Sequence, residues 1–550
     1  MDPALAERAR SMARLASGLA AGAGVALPDD LGLWSLAGGR PDAAATHAGD
    51  PAAALGSALE AALTHGERRR GAHFTPAEVA DRVAELALAT IDVHRPPRVV
   101  DPSCGGGALL LAAARRLASA GVPPVTVSRE LLWGADLDPL AAAVTEAAIA
   151  LWAGGASPGP GHVVAGDPLR AGAAAWPAPP ARGFDAVVGN PPFQGQLASA
   201  TARDRGSAAQ LRRRFGAAVG PYVDTAALFL LVGVELAADA GRVAMVQPQS
   251  TAAARGAAGV RSALAARARL VDLWAPAHHL FAAQVQVCVP VLEVGAGEAV
   301  VPSWTGRVAA ARGVPSVHLV GARSVGDLAD VVAGFRDEYY GLVGHVHEAT
   351  SHPEAPLVTS GLIDVGSVAW GTRPARFAKR RWDRPAVDVA AAAAANPRVG
   401  TWLARTRRPK VVVATQTRVL ESAADLDGGA VPCTPVVSAL PHRAGDVAAL
   451  AAVLNAPPAA AWAAWRAAGS ALSAGALRVS TGLVAAVPLP VDRDAWREAA
   501  RRLAAGDLAG YAEAATAMYA LAPAEARDVR QWWSGQVGLD VACHGPARPR

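Results

Sequence analysis

Asn190-Pro191-Pro192-Phe193 is the stretch of this chain whose residue types can do chemistry together. It follows Phe184-Asp185-Ala186-Val187-Val188-Gly189, a short apolar run that reads as a strand, so the four residues stand at a strand's carboxyl end. An amino group on a heteroaromatic ring, such as that of adenine, is a poor nucleophile because its lone pair is delocalised into the ring. Two acceptors on its N–H bonds draw that lone pair out. The Asn190 side-chain oxygen and the Pro191 carbonyl supply two, Pro192 stiffens the turn by fixing its φ angle, and Phe193 offers a face on which a base can stack. Asn-Pro is also an ordinary way to start a turn. The elements around it therefore carry the decision.

Three earlier apolar runs also end in an acid. Val99-Val100-Asp101-Pro102-Ser103-Cys104-Gly105-Gly106-Gly107 is a strand, a carboxylate and a glycine-rich turn that opens a helix; its glycines allow positive φ and close approach of backbone to a ligand. No Lys-Ser or Lys-Thr follows the glycines, as a phosphate-binding loop would want, and the GxGxxG dinucleotide fingerprint is absent. The next strand ends in Asp136, where a carboxylate can take both hydroxyls of a ribose, and the third ends in Asp167, which can accept from an adenine amino group. Successive strand ends of this kind describe a ribose-and-adenine ligand without a pyrophosphate. S-adenosylmethionine answers that description.

The elements that must position these residues follow from hydrophobic patterning. Short Val-rich runs predict strands at 98–100, 131–135, 163–164, 186–188, 243–246, 270–274 and 287–294, and Ala/Leu-rich stretches predict helices at 76–89, 108–120, 139–152, 225–240 and 252–268. The expected fold is α/β: a seven-stranded, Rossmann-like methyltransferase sheet at 66–300, with a late, closely spaced pair of strands. Residues 1–65 read as a helical N-terminal extension and 301–350 as a connector. Residues 351–492 read as a smaller α+β domain with a strand at 411–415, an alternating segment at 431–437 and helices at 447–456 and 459–467; 493–550 read as a helical segment and tail.

Composition sets bounds. A chain of 550 residues suggests roughly two to four domains. A net charge of +5 and a pI near 9.3 are modest for this length, so distribution matters more than total. Basic clusters fall at 68–70, 212–214, Arg376 with 379–381, and 405–410, with Phe377, Trp382 and Trp402 interleaved, which favours a phosphate-contacting surface. Cys104, Cys288, Cys433 and Cys543 are scattered without metal-ligand or disulfide spacing, so neither a metal site nor a disulfide framework is expected. The N-terminus lacks an uninterrupted signal-peptide core and the apolar run 226–234 is too short to span a bilayer, so the expected compartment is the cytoplasm, with no membrane partner.

With these motifs in place, the chain resembles the gamma class of N6-adenine DNA methyltransferases, whose cofactor motifs come first and whose target-recognition domain comes last. The likeness covers about 70–295 well and about 400–490 more loosely. It implies that Gly71-Ala72-His73-Phe74-Thr75-Pro76 is the motif whose Thr75 binds the methionine carboxylate, that Asp101, Pro102, Ser103, Gly105 and Gly107 form the cofactor loop, and that Asp136 and Asp167 hold the adenosine. It implies catalysis by Asn190, Pro191, Pro192 and Phe193, with Asn190 also near the cofactor and Phe229 of Asp224-Thr225-Ala226-Ala227-Leu228-Phe229 packed on the cofactor adenine. The extruded target base would be sandwiched between Phe193 and Phe281. Two departures are visible: Phe193 where Tyr is frequent, and Gln247 in place of an apolar residue before Pro248.

The implied activity is site-specific methylation of adenine N6 in duplex DNA, in restriction-modification or a related defence, alongside a separate endonuclease or defence subunits. Arg405, Arg407, Arg408, Lys410, Gln416 and Arg418 are the candidate DNA contacts. Three alternatives stay open: a methyltransferase for RNA or for a protein glutamine, which would not need a long C-terminal reader; a fused restriction nuclease, for which no acidic–acidic–Lys constellation stands out; and a catalytically silent DNA-binding scaffold, against which the intact acids and Asn190 speak.

Overall fold

The computed structural model describes residues 2–62, 75–195, 204–276, 285–295, 303–319, 321–334, 336–351, 355–471 and 475–539. The chain forms two compact units, 1–304 and 305–550.

The first unit opens with helices α1 (Pro3–Ala23), α2 (Gly32–Ala37) and α3 (Pro51–Ala61). Asp2 and Asp50 cap α1 and α3, and a proline in the first turn of each is already set to helical φ. After α4 (Ala77–Ala87) the chain alternates strand and helix: β1 (Val99–Asp101), α5 (Ala108–Ser119), β2 (Leu132–Asp136), α6 (Pro139–Trp152), β3 (Val163–Ala165) and β4 (Phe184–Gly189). Then come α7 (Arg205–Phe215), α8 (Thr225–Leu236), β5 (Ala237–Met245), β6 (Gln247–Pro248), α9 (Ala258–Ala265), β7 (Ala268–Trp274) and β8 (Val287–Val294).

These strands form one sheet in the order β3-β2-β1-β4-β5-β8, with β6 and β7 also pairing with β8. β1 to β5 run parallel, and β8 is antiparallel to its neighbours. Parallel strands covered by helices on both faces need unbroken apolar runs, which is what the short valine-rich segments supply. The seven expected strands are all present, and the two-residue β6 makes an eighth. The chain winds outward from β1 to β3, then returns to start β4 on the other side of β1, so the switch point lies between β1 and β4.

Three local differences from the sequence reading have physical causes. The helix expected over 225–240 stops at Leu236, because Ala240 takes a φ of +61° and Gly241 passes so close to the Phe184 carbonyl that a Cβ would lie 2.8 Å from its oxygen. The helix expected from 252 begins at Ala258, since Ala254 is extended and the Arg261 guanidinium donates to the Thr251 and Ala254 carbonyls at 2.7 and 3.1 Å instead. The basic run 212–214 lies on α7, a helix the patterning missed; Arg212 and Arg213 are exposed, and Arg214 pairs with Glu235 at 2.6 Å.

The second unit contains a four-stranded antiparallel sheet in the order Ser422–Asp425, Lys410–Val413, Val437–Pro441, Ala329–Ala333. Its edge strand thus comes from the segment read as a connector. The alternating segment 431–437 is two strands, Val431–Pro432 and the start of Val437–Pro441, because Pro432 and Pro435 have no N–H for a continuous ladder. Helices Val447–Leu454 and Pro457–Ala467 pack with the three C-terminal helices Arg493–Ala504, Leu508–Ala517 and Pro523–Val537 around buried Tyr511 and Trp533. Among the described residues no single helix is long and apolar enough to cross a membrane.

Candidate active site

The parallel register gathers the sequence-predicted acids at one sheet edge. Asp101 ends β1, Asp136 ends β2 and pairs in register with Ala165, two residues before Asp167, and Gly189 ends β4. Because β1 sits between β2 and β4, Asp101 has Asp136 on one flank and Asn190 on the other, across the switch point.

Each acid is held by backbone. Asp101 accepts from Ser103 N–H at 2.9 Å and is buried, with 1 % of its surface exposed. Burial pushes its carboxyl up to about 7, against the Ser103 N–H and with the Asp136 charge adding to the rise. Asp136 accepts from Gly105 N–H and Asp138 N–H, both at 2.9 Å, and burial raises it as well. The glycine turn is pinned in return: Thr145 of α6 donates to the Gly105 carbonyl at 2.7 Å. Gly105 and Gly107 have φ of +51° and +85°, and a Cβ on Gly105 would meet no atom within 4 Å, so the turn is open at Gly105. Asp167 caps a short helical turn and pairs with Arg170 at 3.3 Å. A cradle of glycine backbone with two carboxylates raised by burial, Asp101 further by the Asp136 charge and Asp136 by that of Asp138, can hold a cationic ligand that also carries hydroxyls.

Asn190 is half-buried, and its Nδ2 donates to Thr75 Oγ1 at 2.9 Å. That contact fixes the amide so that Oδ1, an acceptor, points elsewhere. The backbone beyond it is fixed from α8: Asp224, the cap of that helix, accepts from both Ala226 N–H and Gln194 N–H at 2.9 and 3.0 Å, and Thr225 donates to Gln194 Oε1 at 3.2 Å. Phe193 is half-buried against the core beneath the sheet. Phe229 is 6 % exposed and shares a core with Val164 and Leu169 beside Asp167. Gln247, the polar departure, is wholly buried and satisfied: its Nε2 donates to the Ala226 carbonyl at 2.9 Å and ties β6 to the start of α8. Phe281 and Gly71 to Phe74 lie outside the described residues.

Three contributors escaped the sequence reading. Glu60 of α3 accepts from Thr75 N–H, and burial raises its carboxyl to about 7. Gly56, one turn earlier, touches Gly106 so closely that a Cβ would lie 2.6 Å from the Gly106 oxygen, so α3 is seated on the glycine turn itself. An Asp50-Pro51 start and a glycine facing inward were the available signals. Leu137, directly after Asp136, is 75 % exposed, an apolar side chain left uncovered at the sheet edge beside that carboxylate.

In the second unit Arg405, Arg408, Gln416 and Arg418 are exposed and Arg407 is half-buried. Lys410 is a correction: it is fully buried in its strand, directly opposite Asp425, and its Nζ pairs with that carboxylate. It has no surface to offer a phosphate. Asn455 is also internal, clamping Ser422 by accepting its N–H at 2.8 Å and donating to its carbonyl at 2.9 Å.

A family model described as N-6 DNA methylase matches residues 54–300, from α3 through the last strand of the sheet. That stretch, a little under half of the chain, is what resembles the N-6 DNA methylase family. Among solved structures, this chain is similar to the type IIL restriction-modification enzyme MmeI in complex with DNA, at 13 % identity, covering 94 % of this chain and 81 % of that one with a TM-score of 0.53. It also resembles a modification subunit assigned to a type I restriction enzyme of Vibrio vulnificus (19 % identity, 48 % of this chain and 52 % of that one, TM-score 0.34). A type I methyltransferase subunit from Streptococcus thermophilus matches at 21 % identity over 46 % of this chain and 50 % of that one, with a TM-score of 0.34. This chain thus spans about half the length of these two subunits. No curated protein matches the chain.

Proposed function

We propose that this protein transfers a methyl group from S-adenosylmethionine to N6 of an adenine flipped out of duplex DNA, as the modification activity of a restriction-modification or related defence system. The observation that carries the reading is the Asn190 amide, held by Thr75 at a strand end beside buried Asp101, half-buried Asp136 and a glycine turn.

The residues present fit the cofactor. Asp101 and Asp136, raised by burial, gain from a cationic ligand; Asp136 takes the ribose hydroxyls, exposed Leu137 covers one face of the adenine, and the Thr75 hydroxyl can donate to the methionine carboxylate while it accepts from Asn190. When bound, S-adenosylmethionine supplies an electrophilic methyl on a sulfonium. The protein's part is orientation and polarisation. Asn190 Oδ1 and the Pro191 carbonyl accept from the adenine amino group and concentrate its lone pair on nitrogen, and Phe193 stacks on the extruded ring. No general base is required before transfer, because the amine attacks neutral and loses its proton afterwards.

The test is transfer of labelled methyl from S-adenosylmethionine to duplex DNA, with N6-methyladenine identified in the product. Asn190→Ala removes transfer while cofactor binding survives. Label that enters RNA or a protein glutamine and never DNA would sink the substrate assignment, and full activity of Asn190→Ala would sink the assigned role.

A further inference from the structure

The β-hairpin of the second unit formed by Ala375–Phe377 and Arg380–Trp382 carries two features that work against its own folding. Arg376 and Arg381 are direct cross-strand partners, and both are exposed. Like charges opposite one another destabilise an antiparallel pair. The two-residue turn between the strands is Ala378-Lys379, with φ of +51° and +64°. Both residues therefore occupy the left-handed region that glycine or asparagine would enter at far lower cost.

The base of the hairpin is nevertheless fixed. Phe377 and Trp382 are buried, Trp382 Nε1 donates to the Phe377 carbonyl at 3.1 Å, Ala378 N–H donates to the Tyr339 hydroxyl at 3.1 Å, and the Tyr339 and Phe377 rings lie 5.0 Å apart. By the two-residue alternation of a strand, Ala375, Phe377 and Trp382 face inward and the Arg376/Arg381 pair faces out. Arg380 lies over the Trp382 ring at 4.4 Å, and the nearest paired acid, Asp383, is 3.9 Å from Arg381 and itself 80 % exposed. A rigid base thus presents Arg376, Lys379, Arg380 and Arg381 on a tip where, among the described residues, the long and exposed Arg381–Asp383 pair is the one ion pair set against the repulsion.

We infer that this hairpin is a DNA-contacting finger: a two-stranded ribbon whose Arg376, Lys379 and Arg381 take phosphate oxygens of the duplex, the polyanion offsetting the repulsion between the arginines. Ribbons of this width fit the DNA major groove, and a phosphate contact registers as counterion release. The inference rests on the reading that the substrate is duplex DNA.

The experiment uses the full chain and a fluorescent duplex, without cofactor, over a series of salt concentrations. Arg376→Thr/Arg381→Thr keeps β-forming residues in both strands; it lowers the slope of log K against log salt by about two, at roughly 0.9 per phosphate, and leaves cofactor affinity unchanged. Arg376→Glu puts opposite charges across the pair, so Tm is held or raised while duplex affinity falls at least tenfold; a residue that only supported the fold would move both the same way. If wild type binds and methylates duplex DNA and both variants bind it with the wild-type slope, the finger is overturned and the function stands. If wild type itself neither binds nor methylates duplex DNA, both fall.

Discussion

Asn190 Nδ2 donates to Thr75 Oγ1 at 2.9 Å across 115 positions of sequence, joining the end of β4 to a residue two positions before α4. Thr75 is 7 % exposed and its N–H is held by Glu60, so the acceptor that orients the Asn190 amide is itself fixed from α3. The expectation is specific to the hydroxyl. Thr75→Val keeps the branched shape and removes the acceptor; kcat for methyl transfer at saturating cofactor should fall about 10- to 100-fold, equivalent to about 1.4 to 2.7 kcal/mol. Thr75→Ser should stay within a few-fold of wild type. Equal rates for Val and Ser would show that Asn190 needs no such partner.

With Asp101 in the proposed cofactor site, cofactor binding should depend on pH. Its carboxyl is raised to about 7 by burial, whereas a cationic ligand favours the carboxylate, so a proton must leave on binding whenever the free protein holds one. Affinity should rise with pH up to about 7 and then level off, changing by about tenfold between pH 6 and pH 8. Stability runs the other way. An acid easier to keep neutral folded than unfolded costs stability as pH rises from its unfolded value near 4 to about 7, and above that the loss is complete. Titration calorimetry in buffers of different ionisation enthalpy reads the proton release. Asp101→Asn should abolish that release and raise Tm at pH 8 more than at pH 5, even though Glu60 titrates in the same range.

What was legible in the sequence was whatever a run of residues decides locally. Strands β1 to β4 and their terminal acids stand out because a buried parallel strand needs an unbroken apolar stretch, and a carboxylate or Asn-Pro at its end breaks that stretch visibly. What was not legible depends on partners far away in sequence. Nothing near Glu60 says that its carboxylate meets Thr75, and nothing near Lys410 says that its strand runs antiparallel to Ser422–Asp425 so that Asp425 stands opposite. A lysine beside three arginines looks like surface until the ladder turns it inward.

Gly56 tests whether α3 is part of the cofactor site or a mere covering. In an exposed helix, Gly→Ala gains about 1 kcal/mol. Here the added Cβ would lie 2.6 Å from the backbone oxygen of Gly106, and a main-chain atom in a turn held by Asp136 and Thr145 cannot step aside cheaply. Gly56→Ala should therefore reverse the sign, losing about 1 to 3 kcal/mol in urea unfolding, and should weaken cofactor binding as the glycine turn shifts. A gain in stability with unchanged cofactor affinity would mean that α3 can move off the turn freely.

Lys410 separates structural from DNA-facing cations in the basic run 405–410. Burial lowers its ammonium pKa while Asp425 pulls it back up, and Asp425 also accepts from Gly428 and Ala430 N–H at 3.0 and 3.1 Å. Lys410→Met keeps the length and removes the charge. The carboxylate left behind retains its two N–H donors, so the expected loss is about 2 kcal/mol, below the 3 to 5 typical when a buried ion loses its only partner. Lys410→Met/Asp425→Asn should recover part of it, because the second change removes the orphaned charge. Since Lys410 reaches no solvent, the salt slope of DNA binding should match wild type, whereas exposed Arg408→Ala should lower it by about one phosphate contact. A reduced slope for the folded Lys410→Met protein would return this lysine to the DNA surface.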